Sequence, residues 1–261
     1  GETSTLKRPD DATLYQFDLN KGGKLTLENV TLEGNGEVVK PGYPFILVED
    51  TTCELHLKSG TTIQNCVTKN YATYDGGAIR SAGSVYMYEG SAITNCSSQA
   101  GGAIKLSYTP NSTSGLKKFA NFTLYGGTIS GSSATGLDNT VHGGGALYAY
   151  GNVNVNLNGG VIEKNTSAAN GGGVFVQPYK YYSNVNTATV NLAGTTIRDN
   201  TAAKRGGGVY FNGDTQDVIT ASGVTTITGN SSMNGTDNVY LAVGRTLVDN
   251  GLESGSAIGI S

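Results

Sequence analysis

The sequence predicts an all-β fold: a right-handed, single-stranded parallel β-helix, a solenoid of about seven coils with a cap at each end. Three observations predict it. First, an isoleucine, two mostly polar residues and then Cys, Ser or Asn recur, as in Ile63-Gln64-Asn65-Cys66 and Ile162-Glu163-Lys164-Asn165. Second, Gly-Gly-Ala or Gly-Gly-Gly followed by an apolar residue recurs, as in Gly76-Gly77-Ala78-Ile79, Gly101-Gly102-Ala103-Ile104 and Gly171-Gly172-Gly173-Val174. Third, the intervening segments alternate with period two and are rich in Thr, Val and Asn.

The isoleucines set the length of a coil. They fall at Ile63, Ile93, Ile129, Ile162, Ile197 and Ile227, in steps of 30, 36, 33, 35 and 30 residues. Helical repeats of similar length need Leu/Ala-rich amphipathic pairs, and the chain has none. Segments such as Leu55-His56-Leu57, Asn154-Val155-Asn156-Leu157 and Thr189-Val190-Asn191-Leu192 read instead as half-buried strands. About three such strands fit in each coil, and coils stacked ~4.8 Å apart give three parallel sheets around a narrow core. The handedness of parallel crossovers favours the right-handed form.

Taken in order, residues 1–20 lack the repeat and are expected to cap an open end, where sheet edges need cover. Residues 21–241 carry the coils, the first of them (21–52) imperfect. Residues 242–261 supply closing strands at Arg245-Thr246-Leu247-Val248 and Ser256-Ala257-Ile258-Gly259-Ile260. The whole chain, 1–261, reads as one domain. Within a coil, glycines at Gly60, Gly90, Gly126, Gly159 and Gly194 stand three residues before the isoleucine and mark one corner. The Gly-Gly pairs mark a second. Spacing varies most at 105–121, 131–142, 177–188 and 212–222, as expected where insertions leave as loops.

Three residues after each isoleucine lies a column: Cys66, Cys96, Ser132, Asn165, Asn200 and Asn230. Inward polar residues at a turn can bond the backbone and the copies above and below, so this column reads as a structural ladder. Cys66 and Cys96 fall on neighbouring coils, within disulfide range as well as able to stand as stacked free thiols. Cys53 reads as a small buried hydrophobe. Glu163 with Arg198, and Lys164 with Asp199, are expected as cross-strand ion pairs that fix register.

Composition narrows the partners. The net charge is −3 and the pI near 5.4, without a basic run, which argues against nucleic acid and anionic membranes. No stretch approaches a membrane span. High Gly, Thr, Ser and Asn with few charges suit an extracellular solenoid.

The Gly-Gly-Ala-Ile phrases resemble the repeats of bacterial polymorphic outer-membrane proteins and autotransporter-like adhesins. That family joins Gly-Gly-Ala-[Ile/Leu/Val] to Phe-x-x-Asn. Here Ile162-Glu163-Lys164-Asn165, Ile197-Arg198-Asp199-Asn200 and Ile227-Thr228-Gly229-Asn230 stand in the second half, with Ile for Phe. The ending, Asp237-Asn238-Val239-Tyr240-Leu241 and then Ser256-Ala257-Ile258-Gly259-Ile260, looks like the closing coil of large surface proteins of anaerobic gut bacteria and archaea. The resemblance covers roughly residues 50–261 and implies a β-helix at the cell surface.

β-Helices also host polysaccharide lyases and hydrolases. An inverting glycosidase needs two carboxyl groups ~6.5–9.5 Å apart. The adjacent acidic pairs, Asp10-Asp11 and Glu49-Asp50, send neighbouring side chains to opposite strand faces. His56 and His142 lie on different strands or corners; His56 is expected solvated and outward. No metal or cofactor spacing is present. A column of outward residues after the Gly-Gly corner stands out: Tyr148, Phe175, Tyr210 and Tyr240, beside an insertion with Tyr179, Tyr181 and Tyr182. Such a stripe suits the apolar faces of sugar rings; cross-strand aromatic pairing, or a covering loop, is the competing structural account. The expected function is a non-catalytic adhesin or stalk module, extracellular or at the surface of a bacterial or archaeal cell. It would be a monomeric part of a larger protein, binding a glycan or a surface protein through the stripe. The alternative is a polysaccharide-active lyase or hydrolase. Binding of ice or crystal surfaces through Thr61/Thr62, Thr195/Thr196 and Thr225/Thr226 is interrupted at Ser91-Ala92 and Val161.

Overall fold

The period-two segments stack as parallel strands, each pairing with its counterpart one coil away. A computed structural model describes residues 3–69, 76–109, 118–136, 143–178, 180–181, 184–185, 187–214 and 216–261. It is a parallel β-solenoid of about seven turns, without helix among the described residues. The isoleucine sheet has nine strands, from Ser4–Lys7 to Ala257–Ile258. The sheet after the Gly-Gly corner has eight, from Phe17–Leu19 to Val239–Leu241. The third, a long sheet, has eight, from Lys24–Leu27 to Leu247–Leu252. A fourth, unforeseen ladder of two-residue strands runs from Ser97–Ser98 to Gly235–Thr236. In the 177–188 insertion, Lys180–Tyr181 pairs antiparallel with Asn184–Val185.

Register follows the repeat. Ile63, Ile93, Ile129, Ile162, Ile197 and Ile227 stand opposite one another and are fully buried. Strand Val153–Leu157 alternates buried and half-buried, so period two becomes an apolar interior and a polar exterior. Each enclosed Ile or Leu contributes about 1.5–3 kcal/mol, and the core extends by one layer per coil.

The corners explain the recurring small residues within the repeat. The first glycine of each pair, as at Gly171 (φ 65°), is left-handed. The second lies flat on the next coil: a Cβ on Gly172 would stand 2.3 Å from the carbonyl oxygen of Gly207. At the other glycine corner the left-handed residues include Gly60, Gly90 and Gly194, but Gly127 rather than Gly126. A third corner was not foreseen. Two residues after each isoleucine the backbone is left-handed, at Asn65, Asn95, Gly131, Lys164, Asp199 and Gly229. Asn, Asp and Gly tolerate this conformation readily, whereas Lys adopts it at a cost. Lys164 (φ 56°) is exposed, so Lys164→Asn is expected to raise unfolding free energy by about 1 kcal/mol in denaturant titration. No gain would mean that the turn carries no strain.

That bend brings the ladder column inside. Asn165, Asn200 and Asn230 are buried and their amides run head to tail. Asn165 Nδ2 donates to Asn200 Oδ1 at 2.9 Å, and Asn200 Nδ2 to Asn230 Oδ1 at 2.9 Å. Each Nδ2 also donates to the carbonyl of an isoleucine one coil back: Ile129, Ile162 and Ile197. Each Oδ1 accepts the backbone N–H of the preceding member, from Ser132, Asn165 and Asn200. Asn238 closes the ladder, its Oδ1 accepting from Asn230 Nδ2 and N. The other end is Ser132, Cys96 and Cys66, all buried. The cysteines are free thiols. Cys96 Sγ donates to Thr94 O at 3.3 Å, and burial pushes the Cys66 thiol well up, which makes it a poor nucleophile. Cys53 is buried, as expected.

Two expectations change. The segment 1–20, read as a cap, supplies the first strand of two sheets, because Ser4–Lys7 pairs with Val30–Glu33 and Phe17–Leu19 with Ile46–Val48. Between them Arg8 is fully buried, its guanidinium 4.8 Å from the Phe45 ring and donating to Pro44 O. The second change concerns the charge pairs. Glu163 and Arg198 meet at 2.7 Å, but among the described residues no ion pair joins Lys164 to Asp199. Both sit at left-handed corner positions, where side chains leave the strand instead of standing abreast.

Candidate functional site

The predicted aromatic column forms, and its register is as read. Tyr148, Phe175, Tyr210 and Tyr240 stand opposite one another on successive strands of the Gly-Gly sheet. Ring centroids are 5.3, 5.0 and 5.0 Å apart along the column. Its exposure differs from expectation. Tyr148 is 1% exposed and Phe175 is 0% exposed, while Tyr210 and Tyr240 are half-buried.

The glycine corner covers the root of the outward residue but does not by itself enclose the ring, since Gly206 approaches the half-buried Tyr210 as closely. The turn folds back over the root of the outward residue, so that a Cβ on Gly171 would lie 2.7 Å from Phe175 Cβ. Ala100 belongs to the same buried cluster as these two rings. Lys105 stands over Tyr148 at 5.9 Å and Arg205 over Tyr240 at 5.0 Å. The ring faces are thus taken by one another and by cations at both ends, which makes this column a stacking ladder. Burial raises the Tyr210 hydroxyl, with Tyr240 adding to it and Arg205 opposing. Tyr181 lies in the insertion's short strand; Tyr179 and Tyr182 lie outside the described residues.

A second aromatic group stands on the outward face of the long sheet, and sequence reasoning missed it. Strand Glu54–Leu57 pairs with Ser84–Met87, placing His56 beside Tyr86. Their rings stack at 4.7 Å. His56 Nδ1 also meets Tyr88 Oη at 3.2 Å, and Nε2 meets Glu54 Oε2 at 3.1 Å. Lys58 sits 3.3 Å over Tyr88, and Tyr88 stacks on Tyr125 at 5.3 Å. His56 was expected as a solvated residue; it is instead half-buried among these rings. The signal was present in Tyr86-Met87-Tyr88, whose alternation puts both tyrosines on the face of His56 and Lys58 thirty residues earlier.

Beyond these rings the same face turns polar. Asn154 Nδ2 donates to Asn121 Oδ1, Asn191 Nδ2 to Asn156 Oδ1, and Thr220 Oγ1 to Asn191 Oδ1. Amides and hydroxyls are thereby held in rows at the strand spacing.

Several acidic groups are held by local partners. Asp50 accepts from Lys21 N and Thr52 N, and Glu54 pairs with Lys24 and His56. Asp217 is buried, and that burial raises its carboxyl even though Ala188 N donates to it. Among the described residues no three His, Cys, Asp or Glu are grouped to hold a metal ion. His142, Asp75 and Asp138 lie outside the described residues. Thr61, Thr195 and Thr225 are fully buried, so only one threonine of each pair faces outward and the paired-threonine surface does not form.

An open cleft of about 570 Å³ borders the isoleucine sheet near Lys7, Glu33, Lys40 and Asn65. Glu33 accepts from Asn35 N, Gln64 Nε2 and Asn65 Nδ2. Burial alone would raise its carboxyl, but these three donors together outweigh it and lower it. A lowered carboxyl stabilises the fold above its ordinary value, 4.5, and that contribution is lost as pH falls through the lowered value. Glu33→Gln is therefore expected to reduce stability near neutrality and to match the parent in strong acid. Equal melting temperatures at every pH would contradict the assignment.

Compared with protein-family models, with curated proteins and with solved structures, the chain gives no match.

Proposed function

We propose that the chain is a non-catalytic module of a secreted or cell-surface protein of a bacterium or archaeon, an adhesin or stalk that holds a glycan or a neighbouring surface protein. One observation carries this reading: the outward face of the long sheet, where stacked rings adjoin rows of side-chain amides oriented by one another. A rigid lattice of rings, amides and hydroxyls has its ordering entropy already lost on folding, so a ligand need not supply it. The ladders inside the solenoid support the stalk part of the reading, since they bind coil to coil along the axis. No helix among the described residues is long and apolar enough to cross a membrane.

The Gly-Gly-Ala repeats that resemble those of autotransporter-like adhesins point the same way. The competing enzymatic reading needs free carboxylates facing a groove, and Glu54 and Glu163 are instead engaged by His56 and Arg198. The test is a glycan array alongside incubation with pectin, alginate and glycosaminoglycans. Retention on neutral polysaccharide without release of reducing or unsaturated ends is expected. Turnover that disappears in Glu163→Gln would overturn the non-catalytic reading; absence of retention on every glycan would overturn the glycan-binding one.

A further inference from the structure

The outward face of the long sheet changes height along the solenoid axis. In one column Lys58, Tyr88 and Tyr125 are followed by Asn158, and in the adjoining column His56 and Tyr86 are followed by Thr123 and Asn156. Long rings thus give way to short amides between one coil and the next. Tyr88 stacks on one face of Tyr125. The opposite face is directed at the following coil, where Asn158 is exposed and Gly159 and Gly160 carry no side chain. Tyr125 is 51% exposed, as a ring covered on one face only.

We propose that this step is a sugar-binding subsite: the free face of Tyr125 is the wall on which one pyranose ring stacks, and Asn156, Asn158 and Asn191 are the floor that bonds its hydroxyls. The inference rests on the binding reading above and places its site on the long sheet rather than on the Tyr148–Tyr240 column.

Three features fix the ligand's class. A lone ring with an open apolar face suits the C–H face of a sugar, which is apolar while its rim is polar. Asn191 Nδ2 donates to Asn156 Oδ1 at 2.6 Å, so the floor amides are already oriented and offer neutral donors and acceptors. Glu89 lies at the same corner, beside Gly126, and its charge disfavours an anionic sugar there, the nearby Lys58 being engaged over the Tyr88 ring. The ligand is therefore a neutral glycan. The strand spacing of ~4.8 Å is close to the length of one pyranose unit, so an extended chain running along the solenoid axis meets one coil per sugar.

The experiment titrates the whole chain with short and long cello- and chito-oligosaccharides and with oligogalacturonate, read by shifts of side-chain amide resonances in NMR and by tyrosine fluorescence. Neutral chains are expected to bind with affinity rising with length, perturbing Asn156 and Asn191. Tyr125→Ala is expected to weaken binding by about tenfold or more, Tyr125→Phe to retain it, and both to melt as the parent does. If Tyr125→Ala binds neutral oligosaccharides as the parent does, the subsite is wrong while glycan binding stands. If oligogalacturonate binds more tightly than neutral chains, the ligand class is wrong. If no oligosaccharide binds the parent and a glycan array is also blank, the binding reading itself fails.

Discussion

Gly172→Ala is expected to destabilise the protein by more than about 4 kcal/mol, enough to prevent folding of a solenoid held by nearest-neighbour coils. The added methyl would stand 2.3 Å from Gly207 O, 2.6 Å from Thr201 C and 2.7 Å from Thr201 N. All three are backbone atoms, and they belong to a coil that is itself locked by the Asn200 bonds, so no side-chain rotation relieves the overlap. Gly194→Ala is the internal control. Gly194 is left-handed (φ 72°) but has open space where a Cβ would stand. Its substitution costs only the conformational strain, about 1–2 kcal/mol. Denaturant titration of the two variants separates close approach from dihedral strain. Equal losses would show that the coils can spread at the Gly-Gly corner, and the reading of that corner would fall.

Asn200→Leu is the second large effect. Leucine has the same branched heavy-atom skeleton and leaves no cavity, so the main loss is of hydrogen bonds. It removes the donor to Ile162 O, and it removes the acceptor for Asn165 N and Asn165 Nδ2. These groups are buried, and each one left without a partner costs about 1–3 kcal/mol. A loss of about 3 kcal/mol or more is expected, larger than for the same change at an exposed asparagine such as Asn158. The site is also central to the ladder, so native-state hydrogen exchange at Asn165 and Ser132 should quicken together. An unchanged melting temperature would mean that water or backbone groups replace the amide.

Much of the fold was legible because a repeat states each fact several times. The six isoleucines named the register of a whole sheet, and all six are opposite one another. The Asn165, Asn200 and Asn230 column was readable because only a side chain with both a donor and an acceptor can chain from coil to coil. Its end at Asn238 was not, because that residue stands at the Gly-Gly corner of the closing coil and not in the column three residues after an isoleucine. The third corner was also visible in principle. Asn65, Asn95, Gly131 and Gly229 share the two-after-isoleucine position, and Asn and Gly are the residues that accept positive φ.

The sequence by itself determined the coil period, the inward columns and the alignment of Tyr148, Phe175, Tyr210 and Tyr240. Those follow from local alternation and from a fixed number of strands per turn. Tertiary structure alone decided which outward rings remain open. An outward position on a strand leaves a ring free only if nothing returns to cover it. Tyr148 and Phe175 are enclosed whereas Tyr210, beside the same kind of turn, is half-buried, and that difference is not encoded in the alternation. On the long sheet Tyr125 is 51% exposed among the described residues, and its neighbour on the next coil is a short asparagine. The height of a side chain relative to its neighbours thirty residues away is a property of stacking, and it places the exposed ring where the period alone did not.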